Sequence, residues 1–253
     1  MKHIGTGTQK VEEELHALFP GAKVLRMDTD TVGASHGHEK LLRQFEEEKI
    51  PILLGTQMVA KGLDFENVTL VGVLCADASL YIDNYRAPER TFSLLSQVVG
   101  RAGRGSKQGR AIIQTFTPEN EVIRAAAAQD YDAFYESEIR MRRLRRYPPF
   151  ADLFSFTVTG ADESRVIGAA KALRDALGYA VERREELKPL SIEVLGPAGA
   201  SVVKVNNRYR YRVFLVGKGC PALRRLVAEY LYAFYQHKEN RGLDIFADCN
   251  AIQ

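Results

Sequence analysis

"PILLGTQMVAKGLDFENVTLVGVLCAD", residues 51–77, decides the fold. Its two apolar runs, 52–54 and 70–75, are continuous rather than alternating, the pattern of strands covered on both faces. Working outward, "KVLRMD" (23–28) and "GRAIIQTF" (109–116) are runs of the same kind. Between them lie segments of helical period. "KVEEELHALF" (10–19) places Val11, Leu15 and Leu18 on one face at i, i+4 and i+7, and "HEKLLRQFEEEK" (38–49) repeats the theme. Strands alternating with helices predict a doubly wound α/β domain with a parallel sheet, ending near residue 117.

Beyond that point "TPENEVIRAAAAQDYDAFYESEIRMRRLRR" (117–146) reads as one long helix, with Thr117 as N-cap and Pro118 at its first position, stopped by "YPPF". The grammar then changes. "DLFSFTVTG" (152–160) alternates, and "DESRVIGAAKALRDALGYAVERREEL" (162–187) is an amphipathic helix that Asp162 and Glu163 cap and start. "SIEVLG" with "ASVVKV", then "RYRYRVFLV", supply two strands before a second helix (220–237) and a last strand (243–252). The order β-α-β-β-α-β is that of a split-βαβ, ferredoxin-like α+β domain. For the hairpin between those middle strands the apolar faces favour a three-residue loop, 206–208, pairing Val205 with Tyr209 and Val203 with Tyr211.

Composition sets bounds. The 253 residues suit two domains, and no run approaches the roughly 20 uninterrupted apolar residues of a membrane span. The N-terminus lacks the apolar stretch of a secretory signal, so a cytoplasmic location is expected. Cys75, Cys220 and Cys249 are scattered with no C-x-x-C pair, which argues against a disulfide framework and against a metal site. A formal net charge of +3 identifies no partner by itself.

Chemistry enters at "SLLSQVVGRAGRGS" (93–106), where an apolar helical run ends among glycines that carry Arg101 and Arg104. Guanidinium forks suit phosphate oxygens, and Gly100 leaves room for a ligand against the backbone. Such a finger stabilises phosphoryl transfer by roughly 10³ to 10⁵ in rate. The alternative is a helix C-terminus decorated with cations that its dipole favours. Upstream, the strand at 52–55 ends in Gly55-Thr56, with Lys61-Gly62-Leu63-Asp64 soon after. A threonine hydroxyl and backbone N–H groups at a strand's carboxyl end suit a phosphate, and Asp64 suits a ribose hydroxyl.

Together the two segments resemble motifs V and VI of superfamily 2 helicases. With "GTGTQKVEEELHALFPGAKVLRMDTDT", "YRAPERTFSLLSQVVGRAGR", "YPPF", "VLGPA" and "RYRYR", nearly the whole chain is similar to the primosomal protein N′ family of bacterial replication restart helicases. The resemblance implies a RecA-like parallel-sheet helicase lobe 2 at 1–117, a connecting helix and basic segment at 118–150, and a C-terminal α+β domain at 151–253. It implies that Arg101 and Arg104, supported by Gln97, reach the phosphate of ATP, and that Gly62, Asp64 and Gly100 face the nucleotide. Gly5, Thr6, Gly7, Thr8, Thr56, Gln57 and Lys61 would contact DNA. Arg208, Arg210 and Arg212 alternate onto one strand face, where they would track a DNA backbone or make internal ion pairs. Three places depart from the family pattern: Gln9, Leu63 and "ADCNA" (247–251).

No G-x-x-x-x-G-K-[ST] loop and no D-E-x-H box occur in the chain. The expectation is therefore a fragment: ATP and Mg²⁺ held mainly by a missing lobe 1, zinc only in a missing upstream module, and no hydrolysis by the fragment alone. Expected partners are branched or forked DNA, primosome proteins and single-strand-binding protein, with no membrane. The rival reading is a non-catalytic DNA-binding module on a helicase-lobe scaffold. A dinucleotide oxidoreductase fits poorly, because the glycine fingerprint around Gly5 and Gly7 is incomplete.

Overall fold

The structure is a computed structural model, which describes residues 7–28, 37–56, 68–100 and 109–251. The chain divides into two compact units. One runs to Ile82 and from Arg86 to Glu136, and the other holds Asp83–Tyr85 and everything from Ser137. The segment 118–150, read as a connector, is shared between them.

The first unit contains α1 (Thr8–Leu18), β1 (Val24–Met27), α2 (Gly37–Glu47), β2 (Ile52–Gly55), β3 (Leu70–Val73), the single turn α3 (Asp77–Leu80), α4 (Ala87–Val99), β4 (Arg110–Ile113) and α5 (Glu121–Ala128). It also takes in the start of α6 (Tyr131–Leu144). β1 pairs with β2 and β3 with β4, both parallel, with Met27 opposite Gly55 and Val73 opposite Ile113. Parallel neighbours joined through helices are what the alternating pattern requires. Phe92 and Leu95 of α4, Ile123 and Ala126 of α5 and Phe134 of α6 form a core against Val73 and Ile113. The Phe92 and Phe134 rings stack at 4.2 Å.

Two expectations fail here. The β3–β4 pair is not buried on both faces: Leu70, Leu74 and Ile112 are 58%, 54% and 50% exposed. The helical cluster covers only the face carrying Val73 and Ile113. In α1, likewise, Val11 and Leu15 are half-buried while Leu18 is exposed. The single helix expected over 117–146 is two helices. Asn120, not Thr117, caps α5, its side chain accepting from the Val122 N–H at 3.0 Å. The chain then breaks at Gln129, which takes the left-handed conformation at φ 55°. Asp130 accepts from the Ala133 N–H at 2.9 Å and starts α6. Each cap satisfies N-terminal donors that a continuous helix would have satisfied internally, so the break costs little.

The second unit contains β5 (Asp152–Gly160), α7 (Glu163–Arg183), β6 (Glu193–Val205), β7 (Arg208–Gly217), α8 (Pro221–Gln236) and β8 (Asp244–Cys249). Its sheet is antiparallel throughout in the order β6-β7-β5-β8, the split-βαβ arrangement. α7 buries Val166, Ala170, Leu173, Leu177 and Ala180, spaced at three and four residues, onto Phe154, Phe156 and Val158. α8 adds Leu223, Leu226 and Phe234 to the same core. The expected cap is present, with the Arg165 N–H donating to Asp162 at 3.0 Å.

The hairpin register is a correction. Val205 pairs with Arg208 and Lys204 with Tyr209, so the loop is Asn206-Asn207 alone. Both asparagines have positive φ, 49° and 59°, as in the two-residue turn whose twist matches its strands. The facial mismatch that favoured a longer loop is absorbed inside β6, where the register shifts between Gly199 and Lys204 and again between Leu195 and Ala198. At the second shift Gly196 has φ 103°, and a Cβ there would lie 2.7 Å from the Arg212 carbonyl oxygen. Only glycine fits.

Candidate functional site

The carboxyl edge of β1 and β2 gathers part of the expected DNA-facing set. Met27 and Gly55 are opposite each other, so Asp28 and Thr56 leave the sheet side by side. Thr56 is exposed. Gly7 stands just before α1 as its N-cap, with open space where a Cβ would project. The Thr8 hydroxyl donates to the buried Asp28 carboxylate at 2.7 Å, and Arg26 bridges Asp28 and Glu12 at 3.0 and 2.9 Å. Asp28 thus anchors the start of α1 to the end of β1. An N-terminal helix turn beside an exposed threonine at a strand end is a place where backbone N–H groups meet an anion. Sequence reading passed over Asp28, although an aspartate directly after a buried strand was the available signal.

A second carboxylate organises the edge of β3 and β4. Asp77 is 7% exposed and accepts from Thr115 Oγ1 at 2.8 Å, the Phe116 N–H at 2.9 Å and Thr117 Oγ1 at 2.7 Å. Burial alone would raise its carboxyl, but these hydrogen bonds outweigh it and hold the pKa below the usual carboxylate value. This is where Thr117, expected as a helix cap, spends its hydroxyl. From the same edge α3 leads toward α4, and Thr91 of α4 donates to Ser79 at 3.1 Å. α4 carries Gln97 exposed, with one hydrogen bond among the described residues, a 3.4 Å contact to Ser93. Gly100 caps the helix through its N–H to the Ser96 carbonyl at 3.0 Å. A Cβ on Gly100 would meet Gln129 Nε2 at 3.0 Å, so α4 ends tightly against the C-cap of α5.

The arginine strand splits by environment. Arg208, Arg210 and Arg212 share one face of β7, while Val213 and Leu215 are in the core and Tyr209 and Tyr211 pack against it. Arg208 is engaged by the Asp244 carboxylate and donates to the Thr159 carbonyl at 3.2 Å. Arg212 is 6% exposed, and its Nε has no hydrogen-bond partner among the described residues. Burial and the neighbouring Arg210 charge lower its pKa, against the pull of Asp83 and Asp248. Arg210 remains half-buried. Asn250 is a further residue that sequence reading missed. Its side chain donates to Asp152 Oδ1 at 2.6 Å and accepts from the Leu153 N–H at 2.8 Å, closing β8 onto β5.

Gly5, Thr6, Gln57, Lys61, Gly62, Asp64, Arg101 and Arg104 lie outside the described residues. Among the described residues no group of histidine, cysteine and carboxylate side chains could hold a metal ion, and no helix is long and apolar enough to cross a membrane.

A parallel α/β unit with polar groups collected at its strand ends, followed by a split-βαβ unit, is the architecture of a helicase lobe joined to a small α+β domain. Comparison with known families agrees: residues 5–106 match the helicase conserved C-terminal domain, and residues 143–250 match the primosomal protein N C-terminal domain. The replication restart protein PriA of Bacillus subtilis (strain 168) is 41% identical over 250 residues, covering 99% of this chain and 30% of that protein. Those of Synechocystis sp. and Treponema pallidum are 40% and 36% identical, covering 85% and 92% of this chain. The chain belongs to the PriA family, and it spans 25–34% of the length of these three relatives.

Proposed function

We propose that the chain is the C-terminal part of an ATP-dependent 3′ to 5′ DNA helicase that acts in replication restart. The carrying observation is the order of two family matches on one chain, a helicase C-terminal domain followed by the primosomal C-terminal domain. Arg101 and Arg104 would present guanidinium groups to phosphoryl oxygens held mainly by a second RecA-like lobe, with the exposed Gln97 orienting them. Bound ATP with Mg²⁺ would supply the phosphoanhydride whose cleavage drives movement. Gly62 and Asp64 would face the nucleotide. Thr56, Gln57 and Lys61, with Gly5, Thr6, Gly7 and Thr8, would grip phosphates of the tracked strand; in support, Gly7, Thr8 and Thr56 gather at one sheet edge. Forked DNA is the proposed substrate, and primosome and single-strand-binding proteins the proposed partners.

The test is reconstitution. Alone, the chain should hydrolyse no ATP. Mixed with a RecA-like lobe that carries a phosphate loop, it should show DNA-stimulated hydrolysis. A chain that restores no activity yet still binds forked DNA would fit the scaffold module instead.

A further inference from the structure

Where α8 ends, the chain passes through a 3-10 turn (Lys238–Asn240) and Gly242, at φ 84°, into β8. Beside this turn the α+β unit has a concavity of about 560 Å³, a size typical of small-ligand pockets, which run roughly 300–1,000 Å³. Arg208, Tyr235, His237, Lys238, Arg241 and Asp244 are among its lining residues. Asp244 is already engaged by Arg208. Lys238 and Arg241, which also line the concavity, make no side-chain ion pair among the described residues.

The turn is held from outside. Arg165 donates to the carbonyls of Glu239 and Arg241 at 3.0 and 2.8 Å. Tyr235 is 57% exposed, yet its hydroxyl accepts from the Ile245 N–H at 3.2 Å and reaches the Ile245 carbonyl at 3.3 Å. Its ring is therefore fixed in position while remaining open to a partner. Cations lining a concavity beside a fixed, exposed aromatic ring are the combination that binds single-stranded nucleic acid: phosphates meet the charges and a base stacks on the ring. An acidic peptide would use the charges but leave the ring without a role.

We propose that this concavity is a binding site for a single-stranded DNA segment, with Lys238 and Arg241 on phosphates and Tyr235 stacking one base. The proposal rests on the DNA-binding reading above and adds a site on the α+β unit, at the C-terminal end of α8. The experiment is anisotropy of a short labelled oligothymidine titrated with the whole chain between about 50 and 200 mM salt. Removing both charges in a Lys238→Ala, Arg241→Ala chain should flatten the slope of log affinity against log salt by about 1.4, near 0.7 for each lost contact to a single strand. Tyr235→Leu should weaken binding about tenfold, whereas Tyr235→Phe, which keeps the ring but loses the hydroxyl's hold on Ile245, should weaken it by clearly less. Replacing Arg224 and Arg225, exposed at the other end of α8, should leave the slope unchanged. If the parent chain binds no oligonucleotide, the DNA reading itself fails. If it binds and the double variant keeps the parent slope, only this site is overturned. Displacement of the oligonucleotide by a short Asp/Glu-rich peptide, with Tyr235→Leu binding as the parent does, would also overturn it. The two charge positions are on an exposed turn, so their replacement reads binding rather than folding.

Discussion

Replacing Asp77 by alanine removes one carboxylate and leaves three donors behind: the hydroxyls of Thr115 and Thr117 and the Phe116 N–H, now at 2.7–2.9 Å from their acceptor. Hydrogen bonds to a charged group contribute about 1.5–3 kcal/mol each, and a buried donor left unpaired costs about 1–3 kcal/mol. The three are coupled through one acceptor, and Phe116 is exposed enough for water to replace its partner, so the terms do not simply add. A net loss of about 3 kcal/mol follows, close to 10 °C in melting temperature for a unit of this size. The chain has no tryptophan, so unfolding is best followed by calorimetry and far-UV circular dichroism. Calorimetry can also separate the transitions of the two units. The drop should fall on the helicase-lobe transition alone. Asp77 has a lowered folded-state pKa, so its contribution is complete above its unfolded value, about 3.9, and is lost as pH falls through the folded value. Parent and variant should therefore differ by a constant amount near neutral pH and converge in acid. A shift under about 2 °C, or one carried by the α+β transition, would refute the reasoning.

Further outcomes concern the α+β unit. Asn250→Asp would set a second carboxylate 2.6 Å from Asp152 in place of a donated hydrogen bond, costing about 1–3 kcal/mol at pH 7. The pair would bind a proton more readily in the folded state, so the deficit in urea midpoint should shrink as pH is lowered toward about 5. Gly196→Ala must accept φ 103° and a Cβ 2.7 Å from the Arg212 carbonyl, and should destabilise the unit by about 3 kcal/mol in the same denaturation.

Much of the fold could be read from residues because pattern and burial agree there. The i, i+4, i+7 spacing in α7 is its contact with the sheet, whereas the period-two pattern of 152–160, expected of a half-exposed strand, understates burial: Ser155 and Thr157 are 8% and 2% exposed, as buried as Phe154, Phe156 and Val158 on the other face. Parallel pairing in the lobe followed from continuous apolar runs alternating with helices, although those runs overstated the burial of β3 and β4. What escaped was decided by local backbone conformation. Gln129 enters the left-handed region with neither glycine nor proline to announce it, and only Asp130, a capping type, hinted at the break. Asn206-Asn207 fixes the hairpin by its own positive φ angles, while β6 bulges to repair the faces. For the site, residue types pointed to the strand ends, and Gly7, Thr8 and Thr56 do gather there. The carboxylates that build those edges, Asp28 and Asp77, were silent in sequence because their role depends on partners 20 to 40 residues away.

The most direct test of the central proposal uses the chain combined with a RecA-like lobe that carries a phosphate loop, and compares Arg104→Ala with the parent in DNA-stimulated ATP hydrolysis. The account predicts that turnover falls by roughly 10³-fold or more while affinity for forked DNA stays within about twofold, because the proposed guanidinium would act on the phosphoryl group and not on the DNA. Turnover within a few-fold of the parent would contradict it.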